Sequence, residues 1–454
     1  MMNRRTFLKK TTAAASALIA APSIIPASAL GKNGYVAPSD RINLGFIGAG
    51  NQGCNDARSF LQDERVQITT ICDVNRKSDG YWNGAVAGRK FLMDMVDKAY
   101  SKKYGKKYKS TRGYEDFREL LQRKDIDAVE IATPDHWHAI PVMMAAAAGK
   151  DIYCQKPLSL TVQEGRDMSN AVKKHNIVFQ TGSQQRSSHH FRRVCELVRN
   201  GKIGALQKVT CSLPGGTPDF GKTGHLTENV PVPEGFNYDM WLGPAPDAPY
   251  CPARTHVNFR WVLDYSGGNV TDWGGHHPDI AQWGMDTEYT GPIRIQNPKS
   301  KWSDHPIWNT ATEYYFECIY KNGVKLIIKS DNKNGVTFEG TEGKAWVTRG
   351  SHSFEPKKIG NIELGPNDER LYKSDNHFRN FIDCVISREE PVAPAEVAHR
   401  SISLAHLGNI AMMLGQDLEW DPEKEEFINN FAANQLLGRQ KREPWEAIYR
   451  KYRV

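Results

Sequence analysis

Apolar residues follow two rhythms along the chain. In the first half, short continuous apolar runs alternate with helical stretches. The run Arg41-Ile42-Asn43-Leu44-Gly45-Phe46-Ile47 is one, and Val66 to Cys72, Ala128 to Ala132 and Asp151 to Cys154 read as further strands. Runs apolar on both faces predict buried parallel strands. His138 to Ala148 reads as an Ala/Met-rich helix stopped by Gly149. Strands alternating with helices predict an α/β domain with a doubly wound parallel sheet. The second half changes rhythm: Thr312 to Tyr320 and Val324 to Ser330 alternate around a Lys321-Asn322-Gly323 turn, and Val336 to Gly343 and Ala345 to Thr348 continue the sheet. Val397, Leu404, Leu407, Ala411 and Leu414 fall near helical spacing before Gly415, which predicts an amphipathic packing helix. These rhythms divide the chain into a Rossmann-like domain at 39–182 and an α/β domain at 183–454, after a leader at 1–29.

The leader carries Arg4, Arg5, Lys9 and Lys10, no acidic residue, an Ala-rich apolar stretch and then Ala27-Ser28-Ala29, the build of a cleavable export signal. Arg4-Arg5 followed by Thr6-Phe7-Leu8-Lys9 resembles a twin-arginine signal, which implies the bacterial periplasm. Pro22 and Pro26 make this stretch a poor spanning helix, so no stable membrane insertion is expected after cleavage. The twin-arginine route carries folded proteins, so a cofactor loaded before export is expected too. The 454 residues are 39% hydrophobic and 24% charged, enough for two cored domains, and the formal charge of +7 falls to +3 without the four leader cations. So mild a balance, without basic runs interleaved with aromatics, argues against nucleic acid. The eight cysteines form no close pair and read as packed thiols.

The sharpest motif follows the first strand directly: Gly48-Ala49-Gly50-Asn51-Gln52-Gly53, a G-x-G-x-x-G. Gly48 permits the tight turn, Gly50 lets the backbone approach a pyrophosphate, and Gly53 lets the next helix pack on the strand. The helix's first N–H groups, at Asn51 and Gln52, then face the phosphates. Asp73 ends the second strand twenty residues past Gly53, where it can accept hydrogen bonds from the adenine ribose. Asp73 would repel a 2′-phosphate, so NAD is expected over NADP, with Arg76 and Lys77 near enough to soften the preference. Ligands of such sheets bind beyond the carboxyl ends of strands. Those ends lead into Thr133-Pro134-Asp135-His136-Trp137-His138 and Gln155-Lys156-Pro157, placing Thr133, Pro134, His136, His138 and Lys156 around the nicotinamide. Gln185, after the strand at Ile177 to Gln180, is expected to join them.

At these residues the chain resembles the glucose-fructose oxidoreductase / inositol dehydrogenase / MocA family. The matching segments are 45–53, ATPDHWHA at 132–139, AGKDIYCQKPLSLT at 148–161 and GGNVTDWGGHHPDIAQW at 267–283. The resemblance implies a Rossmann domain followed by an α/β domain on a large open, predominantly antiparallel sheet, and a homo-oligomer formed through that sheet. The family's Glu-Lys-Pro lysine falls on Lys156, with Gln155 where glutamate is usual, and its Asp-x-x-x-His pair falls on Asp272 and His276.

Hydride abstraction needs a base for the hydroxyl proton, a positive group near the developing alkoxide and an orienting partner. His276 supplies the base. Lys156 polarises the oxygen or positions the nicotinamide ribose, and Asp272 shares a face with His276 if a helix begins there. Asp272, His276, His277 and Asp279 also suit a metal, but no further ligand set stands at a supporting spacing, and none is expected. Arg186, Arg260, Trp261, Tyr265 and His277 are read as substrate contacts, since a carbohydrate or polyol needs planar hydrogen-bond partners and an aromatic face. Outside the cytoplasm free NAD is scarce, so the cofactor should be held and recycled. Two schemes fit: an oxidoreductase passing hydride between sugars, which is favoured, and a redox-neutral glycosidase that oxidises, eliminates, adds water and reduces. The second needs an additional acid/base, for which Tyr265 and His189 are candidates. A non-catalytic NAD-binding protein is the third class.

Overall fold

The computed structural model describes residues 36–331 and 333–454, so the leader expected at 1–29 lies outside the described residues. The described part of the N-terminal unit is a 3-10 turn at Pro38–Asp40. Everything below concerns the unit from Ile42 to Val454.

Six short strands form the first sheet: β1 (Ile42–Ile47), β2 (Val66–Cys72), β3 (Arg112–Tyr114), β4 (Ala128–Ile131), β5 (Asp151–Cys154) and β6 (Phe179–Thr181). Their order is β3-β2-β1-β4-β5-β6 with every pair parallel. Each residue of β4 and β5 is buried, as the continuous apolar runs require when helices cover both faces. Those helices are α1 (Asn51–Phe60), α2 (Arg89–Tyr104), α3 (Phe117–Leu121), α4 (Ala139–Ala147) and α5 (Val162–His175). Strand order reverses between β1 and β4, so a crevice opens beyond their carboxyl ends.

The second sheet has nine strands: β7 (Leu206–Leu213), β8 (Arg294–Trp302), β9 (Ala311–Ile319), β10 (Lys325–Ser330), β11 (Gly335–Gly340), β12 (Lys344–Thr348), β13 (Ser351–Glu355), β14 (Leu418–Asp421) and β15 (Glu426–Phe427). Their order is β13-β12-β11-β7-β10-β9-β8-β14-β15, mixed and mostly antiparallel, with β7 and β10 the parallel pair. Alternate side chains such as Leu326 and Ile328 turn inward, while Lys325 and Lys329 turn out. The inward face packs on α6 (His189–Arg199), α9 (His277–Met285) and α11 (Ala395–Leu414), and α7 (Tyr238–Leu242), α8 (Asn269–Gly274) and α10 (His377–Ser387) lie in the connections.

The pattern at Val397 to Leu414 predicts an amphipathic helix, and α11 is a correction. It is buried nearly all round, between α5 and the second sheet. Its polar residues face protein partners instead of water: His399 pairs with Glu425 at 2.7 Å, His406 Nε2 meets the Ser159 carbonyl at 3.1 Å, and Asn409 donates to the Gly267 carbonyl at 3.1 Å. A long connection, residues 214–268, joins β7 to α8 and carries its own aromatic cluster of Phe236, Tyr238, Trp241, Tyr250, Phe259, Trp261 and Tyr265. All eight cysteines are free and buried, and no described helix is long and apolar enough to cross a membrane.

Candidate functional site

A cleft of about 470 Å³ runs along the carboxyl ends of β1, β2, β4 and β5. At its middle lies the turn after β1. Gly48 adopts φ +104°, and a Cβ there would stand 2.5 Å from the Ala132 carbonyl oxygen. A Cβ on Gly53 would stand 2.3 Å from the Gly48 oxygen, so α1 can approach β1 this closely only with glycine at that position. Gly50 caps α1, and Gly50, Asn51 and Gln52 all line the cleft. The open amide end of α1 therefore meets the cleft, as a pyrophosphate requires. This cradle, which any Cβ would fill, fits a dinucleotide.

At the ribose end, Asp73 accepts from Ala49 N at 2.6 Å and from Asn75 N at 2.7 Å. Burial pushes its pKa up and those two amides oppose the rise. Each oxygen keeps a free lone pair for a ribose hydroxyl. Glu115 lines the same end. Two segments close over it: Trp82 stacks on Phe220 with ring centroids 4.0 Å apart, Tyr81 lies 4.6 Å from His256, and Arg76 N donates to the Gly235 carbonyl at 2.8 Å.

At the opposite end stand Thr133, Pro134, Asp135, Lys156 and Arg260. Lys156 Nζ donates to Asp272 Oδ1 at 2.8 Å and to the Asp272 carbonyl at 3.1 Å, and Arg260 Nε reaches the same Oδ1 at 3.3 Å. Burial works to raise the Asp272 pKa, yet Lys156 and Arg260 outweigh it and hold the carboxylate ionised. His276 is buried beside them with Nδ1 enclosed and unpartnered. Burial, then the charges of Lys156 and Arg349, hold its pKa well below the ordinary histidine value. A shared helical face for Asp272 and His276 is a correction: α8 ends at Gly274, and His276, at φ −120° and ψ −83°, caps the separate helix α9.

Several other expected contacts lie away from the cleft. Arg186 is 2% exposed, bound through both sides of its guanidinium to Asp279 at 2.7 and 2.9 Å and stacked over Trp283, so it cannot meet a substrate. Trp261 and Tyr265 are fully buried in the aromatic cluster, the former donating to the Pro218 carbonyl at 3.0 Å. His277 is fully buried with Nε2 2.7 Å from Asn334 Oδ1. His136 and His138 are buried behind the turn: His136 Nε2 meets the Trp241 carbonyl at 3.0 Å, and His138 spans the Pro157 and Thr133 carbonyls at 2.7 and 2.9 Å. They brace the nicotinamide-side loops without lining the cleft. Gln185, its amide turned to satisfy its neighbours, donates to His277 Nδ1 and the His276 carbonyl at 3.3 Å and accepts from Arg349 Nε at 3.2 Å. It therefore holds the histidine segment instead of the cofactor. Arg349, stacked over Trp273, arrives from the turn between β12 and β13, too remote in sequence to be read from a motif.

Gln155 has a physical explanation in two buried carboxyls, Asp56 of α1 and Glu130 of β4. Gln155 Nε2 donates to Asp56 Oδ2 at 2.6 Å, and Gln52 Nε2 donates to Oδ1 at 2.7 Å. Burial raises Asp56 to about 6 and, with the charge of Asp56 adding to it, Glu130 well above its usual value, so Glu130 stays the acid. A glutamate at 155 would add a third carboxyl to this set. Among the described residues no group of three or more His, Cys, Asp or Glu is placed to hold a metal ion.

Comparison with known proteins agrees with this arrangement. Residues 42–183 match the oxidoreductase family's NAD-binding Rossmann fold, and residues 188–447 match its C-terminal alpha/beta domain. Over 176 residues the chain is 40% identical to the uncharacterized oxidoreductase YrbE of Bacillus subtilis (strain 168), covering 38% of this chain and 45% of that one. Over 219 residues it is 30% identical to an alpha-N-acetylgalactosaminidase of Shewanella oneidensis, covering 45% and 44%. The chain thus matches less than half the length of these curated relatives. In fold it resembles the aldose-aldose oxidoreductase from Caulobacter crescentus complexed with glycerol, with a TM-score of 0.57 and 16% identity over 84% of this chain and 99% of that one. With a glycine cradle that fits a dinucleotide and both domains matched, the chain belongs to the Gfo/Idh/MocA family of oxidoreductases.

Proposed function

We propose that this protein is an NAD-dependent oxidoreductase acting on a hydroxyl of a sugar, glycoside or polyol, with a cofactor that is held and recycled. The observation that carries the reading is the pair of cations, Lys156 and Arg260, gathered on Asp272 at the end of the cleft opposite Asp73. When bound there, the nicotinamide accepts and returns a hydride. Lys156 sets a positive charge beside the alkoxide that forms on the substrate. His276, neutral at rest, takes the hydroxyl proton, and Asp272 fixes Lys156 in place. Asp73 and Glu115 together favour NAD, since a 2′-phosphate would meet two carboxylates. The Trp82–Phe220 and Tyr81–His256 contacts support retention, because release requires them to part.

Twin-arginine export to the periplasm and a homo-oligomer built on the outer face of the second sheet belong to the same proposal. A second reading, a redox-neutral glycosidase, is supported by the resemblance to the alpha-N-acetylgalactosaminidase. Substrate screening separates the two: an oxidoreductase leaves reduced cofactor until a keto-sugar discharges it, whereas the glycosidase releases an aglycone with only a transient signal.

A further inference from the structure

Arg349 stands in the turn between β12 and β13, beside Gly350, whose φ of +76° lets the paired strands reverse between Thr348 and Ser351. Its guanidinium lies over the Trp273 ring, 4.9 Å from the centroid, and its Nε donates to the Gln185 side-chain oxygen at 3.2 Å. Those two contacts fix the plane of the group. Among the described residues neither Nη1 nor Nη2 has a hydrogen-bond partner, and no carboxylate pairs with the side chain. Arg349 is exposed, so the free edge of its fork is open to a ligand. Arginines that serve structure in this chain are spent on carboxylates instead, Arg186 on Asp279 and Arg166 on Glu396 and Glu425.

The fork sits beside the reacting end of the cleft. Trp273 follows Asp272 directly, and its ring centroid is 5.7 Å from that of His276. Gln185, on which Arg349 rests, donates to the His276 carbonyl at 3.3 Å. Charge is unbalanced here: Lys156 and Arg260 already share the carboxylate of Asp272, and Arg349 adds a further cation. Asp135, whose carboxyl burial pushes up to about 7, supplies only part of a negative charge near neutrality. His276 stays neutral. Such a positive excess attracts an anion.

We propose that Arg349 recognises a carboxylate on the substrate, so that the sugar oxidised here is a uronic acid or a uronide. This deepens, and rests on, the reading of the site as one that oxidises a sugar hydroxyl. The Nη1 and Nη2 N–H groups, held in one plane by Trp273 and Gln185, match the two oxygens of a planar carboxylate. A structural role uses Nε alone and leaves both of them over. A neutral sugar leaves the fork unpaired and binds less well.

The test uses the nucleotide-loaded protein with methyl glucuronides and galacturonides, the methyl esters of these uronides, and the matching glycoside 6-phosphates. Reduced-nicotinamide absorbance gives kcat/KM, and calorimetry on the same protein gives affinity without turnover. Wild type should favour a uronide over its neutral ester by about ten- to hundredfold in both. In Arg349→Gln that ratio should fall to within about threefold of unity, and in Arg349→Lys to an intermediate value. Any effect of the substitution on the shared chemistry divides out of the ratio. Added salt should weaken the wild-type preference. A wild type that treats uronide and ester alike overturns the proposal, and this needs no variant. So does a uronide preference that Arg349→Gln retains, which assigns the anion to Lys156 or Arg260, and so does a preference confined to the 6-phosphates. Uronide binding that depends on Arg349 without any absorbance change supports the recognition and overturns the oxidation reading.

Discussion

Replacing Arg186 by alanine separates a structural role from a substrate-binding one. The guanidinium makes two bonds to Asp279, at 2.7 and 2.9 Å, and both side chains are 2% exposed. Truncation leaves the Asp279 carboxylate buried, with the Ser401 hydroxyl at 2.8 Å as its remaining side-chain partner, and removes the stacking on Trp283. Stranding one member of a buried ion pair costs about 3–5 kcal/mol. The folded-to-unfolded ratio then falls by roughly two to four powers of ten. Denaturant unfolding of wild type, Arg186→Ala and the apolar pair Arg186→Met/Asp279→Leu measures this. The single variant should lose the full amount and the double variant should recover most of it, because no charge is left stranded. Per folded molecule, kcat/KM for the sugar should stay within about threefold of wild type, since the side chain does not reach the cleft. A single variant as stable as wild type, or one whose KM alone rises sharply, would refute this account of Arg186.

Other substitutions probe the cleft directly. Lys156→Ala and His276→Ala should abolish turnover while nucleotide still co-purifies, which absorbance of the released cofactor checks; retained activity in both removes the catalytic assignment. Asp73→Ala should weaken nucleotide retention and loosen the Ala49 and Asn75 amides, seen as faster hydrogen exchange there, and unchanged affinity would undo its ribose role. Gln155→Glu replaces a donor to Asp56 with a third buried carboxyl and should lower stability by about 1–3 kcal/mol, more at pH near 8 than near 5. Asp56 and Glu130 bind protons more tightly in the folded than in the unfolded chain. The folded state therefore holds the excess of protons, and stability falls as pH rises from about 4 through the folded pKa of Asp56, about 6. Asp56→Asn should flatten that decline in melting temperature, and an unchanged slope would contradict the buried-acid assignment.

Much of the fold was legible because central strands are buried on both faces, so an apolar run such as Leu44 to Ile47 marks β1 directly. The glycine cradle was legible for a related reason: Gly48 and Gly53 meet steric limits that leave no other residue type. The interior of the second domain was harder. Arg186, Trp261 and His277 are polar or aromatic residues of the kind that bind sugars, and only their burial shows that they bind protein. Conversely, α11 has apolar residues at helical spacing, but its polar positions are also buried, which periodicity cannot reveal.

In the proposed function a retained nicotinamide cofactor cycles on a sugar hydroxyl. The most direct test is to purify the mature protein, release and identify its nucleotide, and follow reduced-nicotinamide absorbance as sugars, glycosides and polyols are added to the loaded protein. The account predicts close to one NAD per chain and an absorbance rise with at least one sugar, discharged by its keto form. A protein free of nucleotide, or one whose bound NAD stays oxidised with every sugar, would contradict it.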